Sequence, residues 1–133
     1  MRPFIYLISV ILSCVSVTAM ADGHMAKGSI ARATFTSSVV DREPVDSMDS
    51  FTTASEKVYF FTELADMTGH TVTHQWVLNG ETFAEVPFNV GGPRWRVYSS
   101  KNMMPIWVGE WTVNVVGEDG MVIESHNFNY TGQ

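Results

Sequence analysis

Short runs of β-branched and aromatic residues, separated by turn signals, fill this sequence from Ser29 to its C-terminus. The turn signals recur roughly every eight to twelve positions, a spacing typical of all-β sandwiches. We therefore predict one all-β domain, a seven-stranded antiparallel sandwich, over residues 29–133. The predicted strands are Ile30–Thr36, Lys57–Leu64, Thr71–Leu78, Glu81–Val90, Arg94–Ser99, Glu110–Val116 and Val122–Tyr130.

Three turn signals fix how these strands connect. Asn79-Gly80 lies between two alternating runs and predicts a hairpin, because a type I′ turn needs positive φ at both central residues. Residues 117–120 (Gly-Glu-Asp-Gly) and 67–70 (Met-Thr-Gly-His) predict turns between the last two strands and between the second and third. Residues 37–54 contain Pro44 and several acids, and we predict a long ordered crossover there.

Alternation along the strands assigns their faces. Val72, His74, Trp76 and Leu78 share one face of the third strand, and Trp111 shares a face with Val113 and Val115 in the sixth. Trp76 and Trp111 are therefore predicted at the centre of the core, where large rings replace the missing disulfide. For His74 we predict a neutral core imidazole, satisfied by one backbone or carboxylate bond, rather than a ligand.

The N-terminus has the order of a secretory signal peptide. Arg2 precedes an apolar run that ends near Val17, and Ala19-Met20-Ala21 follows as a small-x-small cleavage site. The apolar run is about 14 residues, short of the roughly 20 that span a bilayer. We predict cleavage after Ala21, a flexible leader over residues 22–28, and a periplasmic or secreted bacterial protein whose mature chain does not insert into a membrane.

Cysteine and charge narrow the class further. The sole cysteine, Cys14, lies in the predicted signal peptide, so the mature chain can form no disulfide. A lipid-modified Cys14 is the alternative, because residues 11–14 distantly resemble a lipoprotein cleavage box. The chain has eight Lys and Arg against fourteen Asp and Glu; without Arg2 the net charge is −7. Such an acidic surface repels phosphate backbones, which argues against nucleic acid as a partner.

Three blocks of sequence together resemble the bacterial domain of unknown function numbered 2914. They are residues 39–44 (VVDREP), residues 74–80 (HQWVLNG), and residues 94–101 (RWRVYSSK) leading to 109–113 (GEWTV). The resemblance implies an exported or membrane-anchored bacterial chain and carries no activity or catalytic residue. The closing pattern, residues 109–115 followed by Gly120 and Phe128, is also similar to the last two strands of immunoglobulin-like modules, so we expect an immunoglobulin-like sandwich.

The candidate ligand-binding residues lie in and just after the fifth predicted strand. Arg94, Arg96 and Tyr98 project from one face, and two guanidinium groups beside a phenol can hold a carboxylate or an acidic sugar. The alternative is that both arginines pair with internal acids on a neighbouring strand. The acids considered are Glu63, Glu81 and Glu85.

Trp95 and Trp107 are further candidates, as stacking platforms for a ligand, although core packing can account for either ring. Trp107 is predicted to be partly exposed, because Met103–Trp107 forms an apolar connection that would suit a partner surface.

We predict no metal site, cofactor or catalytic activity. His70 and His74 would lie roughly 13 Å apart along a strand, too far to share a metal. Common nucleophile, zinc-protease and phosphate-loop motifs do not occur in the mature sequence. The expected function is a non-catalytic exported binding module that recognises a cell-envelope glycan or an exported protein. The alternative is a structural or assembly subunit of a periplasmic or surface complex, and the oligomeric state stays open.

Overall fold

The structure is a computed structural model that describes residues 28–133. The predicted signal peptide, residues 1–21, and the predicted leader up to residue 27 lie outside the described residues. The strands are β1 Ser29–Thr36, β2 Val39–Val40, β3 Glu43–Pro44, β4 Ser50–Thr52, β5 Lys57–Ala65, β6 Thr71–Leu78, β7 Glu81–Asn89, β8 Arg94–Asn102, β9 Gly109–Val116 and β10 Val122–Thr131. A single 3-10 turn, Pro105–Trp107, separates β8 from β9.

The strands form one three-stranded, one five-stranded and one two-stranded sheet. Their orders are β1-β5-β8, β4-β10-β9-β6-β7 and β2-β3. All paired strands are antiparallel except β4 and β10, which run parallel from Asn129↔Ser50 to Thr131↔Thr52. Residues 28–133 are therefore all-β, as predicted. Among residues 28–133, no helix has the length and apolar character needed to cross a membrane.

The hairpins follow from the turn residues. Asn79 and Gly80 have φ of 53° and 79°, and they connect β6 to β7 with Leu78 opposite Glu81. Positive φ at both positions is the requirement of a type I′ turn, so the predicted hairpin is confirmed. The turn at residues 67–70 closes with a 3.0 Å bond from the His70 N–H to the Met67 carbonyl.

The two larger sheets enclose one hydrophobic core. Phe35 and Phe60 of the three-stranded sheet contact each other at 4.8 Å between ring centroids. Phe35 also meets Phe128 of the five-stranded sheet at 4.7 Å, and Trp111 stacks on Phe128 at 6.0 Å. Trp76 and Trp111 are fully buried, as the alternation predicted. Aromatic rings thus fill the space where no disulfide is available.

The prediction of seven strands is too low. All seven predicted strands exist near their predicted bounds, and the segment predicted as a crossover adds β2, β3 and β4. β2 and β3 have two residues each, too few for a periodicity to show. β4 depends on pairing with the distant β10, and that parallel pair also departs from the all-antiparallel prediction.

Residues 37–49 fold over the outer face of the three-stranded sheet. The carboxylate of Asp46 accepts bonds from the Thr36 hydroxyl (2.6 Å) and from the Ser37 N–H (2.9 Å) and hydroxyl (2.6 Å). These bonds lower the pKa of Asp46, with the Ser37 hydroxyl as the largest cause. The crossover is therefore tied to the end of β1, and it brings β3 beside the strands that carry the candidate arginines.

Candidate functional site

β8 presents the predicted residues on its outward face. The side chains of Arg94 and Arg96 are 73% and 36% exposed, and Tyr98 is 45% exposed. Val97 and Ser99, at the alternate positions of the strand, are buried. The predicted alternation of this strand is confirmed. β8 is an edge strand whose partner is β5, and this pairing places Glu63 opposite Arg96 and Ala65 opposite Arg94.

Glu63 lies at the base of the site. It is only 4% exposed, although it points away from the main core. Its Oε1 accepts bonds from Arg32 Nε (2.8 Å) and Nη2 (2.6 Å), and its Oε2 lies 2.5 Å from Arg94 Nε. Arg32 enters because β1 pairs with β5 and sets it directly opposite Glu63. One buried carboxylate thus holds two guanidinium groups.

Glu43 forms the second bridge. It accepts a bidentate pair from Arg32, with Nη1–Oε1 at 2.9 Å and Nη2–Oε2 at 2.8 Å, and a further bond from Arg96 Nη1 at 2.5 Å. The β2–β3 hairpin delivers this side chain. Its two turn residues, Asp41 and Arg42, have φ of 53° and 64°, a left-handed conformation that is uncommon for residues other than glycine.

These contacts keep both acids charged. Hydrogen bonds from Arg32, and then from Arg96, lower the pKa of Glu43 to about 2. The pKa of Glu63 is also lowered, mainly by its bond from Arg32, while the same two acids raise the pKa of Arg32. At neutral pH the cluster therefore contains three positive charges and two negative ones. We call these five residues, Arg32, Glu43, Glu63, Arg94 and Arg96, the arginine cluster.

An open depression lies over the arginine cluster. Its volume is about 510 Å³, and Arg32, Glu63, Arg94 and Arg96 line it. Within residues 28–133, the ion pair of Arg94 uses Nε and a single acid, so its two Nη groups have no ionic partner. The depression can therefore accept an anion.

The arginines are paired with internal acids, as the alternative interpretation of the sequence proposed, but only one of the named acids takes part. Glu63 pairs with Arg94, whereas Glu85 accepts a 3.0 Å bond from Gln75 on the other sheet. The partner of Arg96 is Glu43, which was not among the predicted acids. The side chains of Arg94 and Arg96 stay 73% and 36% exposed in these pairs, so the pairs do not remove the arginines from solvent.

Tyr98 lies beside the arginine cluster and is supported by a second ring. Tyr59 of β5 contacts it at 6.1 Å between centroids, with the ring planes at 44°. Lys57 Nζ lies 5.9 Å from the centroid of the Tyr59 ring. Sequence reasoning missed both Tyr59 and Arg32. Strand alternation could have placed each on the outward face. Only the register of β1, β5 and β8 shows that Tyr59 contacts Tyr98 and that Arg32 shares Glu63 with Arg94.

Trp95 does not join this site. It projects to the opposite face of β8, half-buried, with its six-membered ring over Gly91 and Gly92. A Cβ on Gly91 would lie 2.7 Å from the ring, so a larger residue there would displace the indole. Trp95 therefore packs at the margin of the core, as the alternative to a stacking platform proposed.

Trp107 lies in a different part of the molecule. Its ring contacts Phe83 at 5.2 Å and Trp111 at 6.3 Å, and Lys101 Nζ lies 4.5 Å from its centroid. Burial against these rings lowers the pKa of Lys101. The ring of Trp107 is thus half-buried, in agreement with its predicted partial exposure, but it is separate from the arginine cluster.

The residues around Trp107 form an exposed apolar patch. Met104, Ile106 and Val108 are exposed, with Ile106 at 77%, whereas Met103 is buried in the core. We call these three exposed residues the 104–108 patch. The structure thus divides the five predicted ligand-binding residues among three places: Arg94, Arg96 and Tyr98 lie together, while Trp95 and Trp107 each lie elsewhere.

His74 is a core residue, but its predicted partners are wrong. It is fully buried and bonds to two hydroxyl groups: Thr62 Oγ1 at 3.0 Å from Nε2, and Ser99 Oγ at 2.7 Å from Nδ1. Trp76 Nε1 donates to the same Ser99 oxygen at 3.0 Å. Burial lowers the pKa of His74 to about 3, so the ring is neutral. The contact with Ser99 is a structural network inside the core rather than an accessible nucleophile and base.

The other described histidines bond to separate acids. His70 Nδ1 lies 2.8 Å from Glu118, and His126 Nε2 lies 2.8 Å from Glu124. Among residues 28–133, no three metal-binding side chains of the His, Cys, Asp and Glu types come together.

Comparison with known proteins adds a family and no activity. No curated protein matches the chain. Residues 69–130 match the model of a family described as Protein of unknown function (DUF2914). The matched segment runs from the turn before β6 into β10, so it contains Arg94, Arg96 and Tyr98 but not Arg32, Glu43 or Glu63. Over residues 69–130, this match confirms the resemblance to the DUF2914 family that the sequence blocks indicated.

Proposed function

We propose that this protein is a non-catalytic binding module, exported to the periplasm or surface of a bacterium, that recognises an acidic group on a cell-envelope glycan. The observation that carries the proposal is the open depression over the arginine cluster, where three guanidinium groups face two carboxylates. The unpaired positive charge stands out on a chain whose formal net charge is −6. Charge-assisted bonds from arginine are the usual means of holding a carboxylate or phosphate.

The proposal includes an immunoglobulin-like arrangement of the sandwich. Its support is that β1, β5 and β8 form one sheet opposite β6, β9 and β10 in the other. These are the positions of strands A, B and E, and of strands C, F and G, in an immunoglobulin-type sandwich. Export is supported by the sequence of residues 1–21, with its charged start, apolar run and small-residue cleavage site.

Replacing Arg94 with glutamine tests this function. Retention of the purified protein on an immobilised envelope-polysaccharide column should fall at least tenfold, because the exposed guanidinium is lost while Arg32 still neutralises Glu63. The free energy of unfolding in urea should change by at most about 1 kcal/mol, because the Arg94 side chain is 73% exposed and the buried Glu63 keeps its ion pair with Arg32.

The matched control is Arg42→Gln. Arg42 is exposed on the neighbouring β2–β3 turn and makes no ion pair among residues 28–133 that would tie it to the arginine cluster. This variant removes the same charge without touching the depression, so its retention should equal that of the unchanged protein. Equal losses in both variants would show non-specific charge attraction and contradict the proposal.

A second candidate function, an assembly subunit of a periplasmic or surface complex, is favoured by the 104–108 patch. Its three side chains are exposed and apolar in a single short connection, and such patches mark protein–protein contacts more often than single exposed residues do. On this alternative the occupant is a second copy of the chain, with the patches of two copies packed together.

Sedimentation equilibrium separates the two functions. If the assembly function holds, the protein should be dimeric at high concentration, and Ile106→Ser should weaken the dimer at least tenfold because it removes the most exposed apolar side chain. The control is Val40→Ser, which removes an exposed apolar residue on the β2–β3 hairpin, outside the 104–108 patch, and should leave the dimer unchanged. A monomer at high concentration would exclude this self-assembly.

A further inference from the structure

We infer that the arginine cluster binds the carboxylate of a uronic acid residue, with Arg94 and Arg96 holding the carboxylate and Tyr98 packing against the sugar ring. This inference deepens the proposed function and depends on it. It names the chemical class of the ligand, and it adds Arg32, Glu43, Glu63 and Tyr59 as residues that position the binding groups.

The charge of the cluster matches one monovalent anion. Three guanidinium groups meet only two carboxylates, and both carboxylates are held ionised by their arginine bonds. One sugar carboxylate completes the neutralisation. A nucleic-acid phosphate backbone, by contrast, would be opposed by the acidic remainder of the chain, whose formal net charge is −6.

The site is held in place before any ligand arrives. Buried Glu63 bonds Arg32 and lies 2.5 Å from Arg94 Nε, so the Arg94 side chain is fixed from beneath while its Nη groups keep no ionic partner among residues 28–133. Two parallel N–H groups on one guanidinium fit the two oxygens of a carboxylate. Because side-chain ordering opposes binding, an arginine that is already fixed binds more tightly than a mobile one.

The neighbouring ring favours a sugar over an acidic peptide. Alternate residues on one strand face lie roughly 7 Å apart, so Tyr98 follows Arg96 at about the length of one sugar unit. The Tyr98 ring is exposed and is held at 44° against Tyr59. A pyranose has an apolar C–H face that packs on an aromatic ring, and in a uronic acid the carboxylate extends from the edge of that same ring.

Titration with trigalacturonate, followed by NMR chemical shifts, tests the inference. The matched ligand is trigalacturonate methyl ester, which has the same sugar rings and no charge. The free acid should bind with a dissociation constant on the order of 1 mM or tighter, and the ester should bind at least tenfold more weakly. Arg94→Gln should weaken binding of the acid at least tenfold, Tyr98→Ser should weaken both ligands, and Arg42→Gln should change neither.

Each remaining result overturns the inference in a recognisable way. Absence of binding, or equal binding of acid and ester, excludes carboxylate recognition. If a tri-glutamate peptide binds more tightly than trigalacturonate, the site recognises a protein partner. If inorganic phosphate displaces trigalacturonate at concentrations below about 1 mM, the site recognises phosphate. If the acid fails while Arg94-dependent retention on envelope polysaccharide persists, the uronic acid inference fails and the proposed function stands. If retention does not depend on Arg94, both fail.

Discussion

Replacing Trp76 with alanine should lower the free energy of unfolding by about 3–5 kcal/mol, which is the range for buried tryptophan and phenylalanine truncations. The ring is fully buried, and it meets Phe35 at 6.5 Å and Phe128 at 6.1 Å, so it links the two sheets. Its N–H also bonds Ser99, which in turn bonds His74. A domain of this size has only about 5–15 kcal/mol of stability, so urea denaturation should show a large shift in the midpoint.

Two further variants show how much of this loss comes from the buried ring and how much from its hydrogen bond and position. Trp76→Phe keeps most of the ring and loses the N–H, so it should lose less than half as much stability as Trp76→Ala, and it remains measurable if the alanine variant does not fold. Trp107→Ala removes a half-buried indole at the margin of the core and should have a smaller effect than Trp76→Ala. Equal effects at positions 76 and 107 would contradict the central place assigned to Trp76.

The long strands and the centre of the core could be predicted because each depends on local periodicity. In β6 the burial alternates at every position, and that alternation is written in the sequence as Val72, His74, Trp76 and Leu78. The Asn79-Gly80 turn needs only the conformational freedom of its own two residues. Local patterns of this kind act within a few residues, so a single sequence contains them.

The covering of the outer face of the three-stranded sheet by residues 37–49 could not be predicted in the same way. Phe61 lies on the outward face of β5 with Tyr59 and Glu63, yet it is 1% exposed, because the Arg32 guanidinium lies 4.9 Å over its ring and the crossover folds across that face. β5 consequently has six buried residues, Val58 and the five residues of 60–64. Consecutive buried positions are the pattern of a strand that is covered on both faces. The strand itself was predicted, but the burial of its outward face was not, because that burial depends on residues 37–49.

The arginine cluster shows the same limit at the site itself. The outward face of Arg94, Arg96 and Tyr98 follows from alternation, but their partners follow from the register of β1 on β5 and from the β2–β3 hairpin. Glu43 lies 53 residues from Arg96 in the chain. In the sequence it is an acid in a polar, proline-containing segment, where solvated side chains are the norm, and nothing local marks it as a bridge between two arginines.

The buried imidazole of His74 should make the protein less stable in mild acid. Burial lowers its pKa in the folded state to about 3, whereas an unfolded histidine has a pKa near 6.5. Between these values the unfolded chain binds a proton that the folded chain excludes, so stability is complete above pH 6.5, approximately, and falls as the pH decreases toward 3. The slope is about 1.4 kcal/mol per pH unit, and urea denaturation should show a loss of about 2 kcal/mol from pH 7 to pH 5.

The pH range of the measurement isolates this histidine from the acids. Glu43, Glu63, Asp46 and Glu118 also have lowered pKa values, but they start from 4.5 or 3.8 and so destabilise the fold mainly below pH 5. His74→Gln removes the ionisable ring and keeps an amide that can bond Thr62 and Ser99. Its stability should be lower at pH 7, because a buried ring is lost, but nearly constant down to pH 5, because no group titrates at this position. His126→Gln, at a partly exposed histidine, should keep the slope of the unchanged protein. If the stability of His74→Gln fell with pH as steeply as that of the unchanged protein, the prediction would be wrong. The proton responsible would then bind at another residue, because glutamine has no group that titrates in this range.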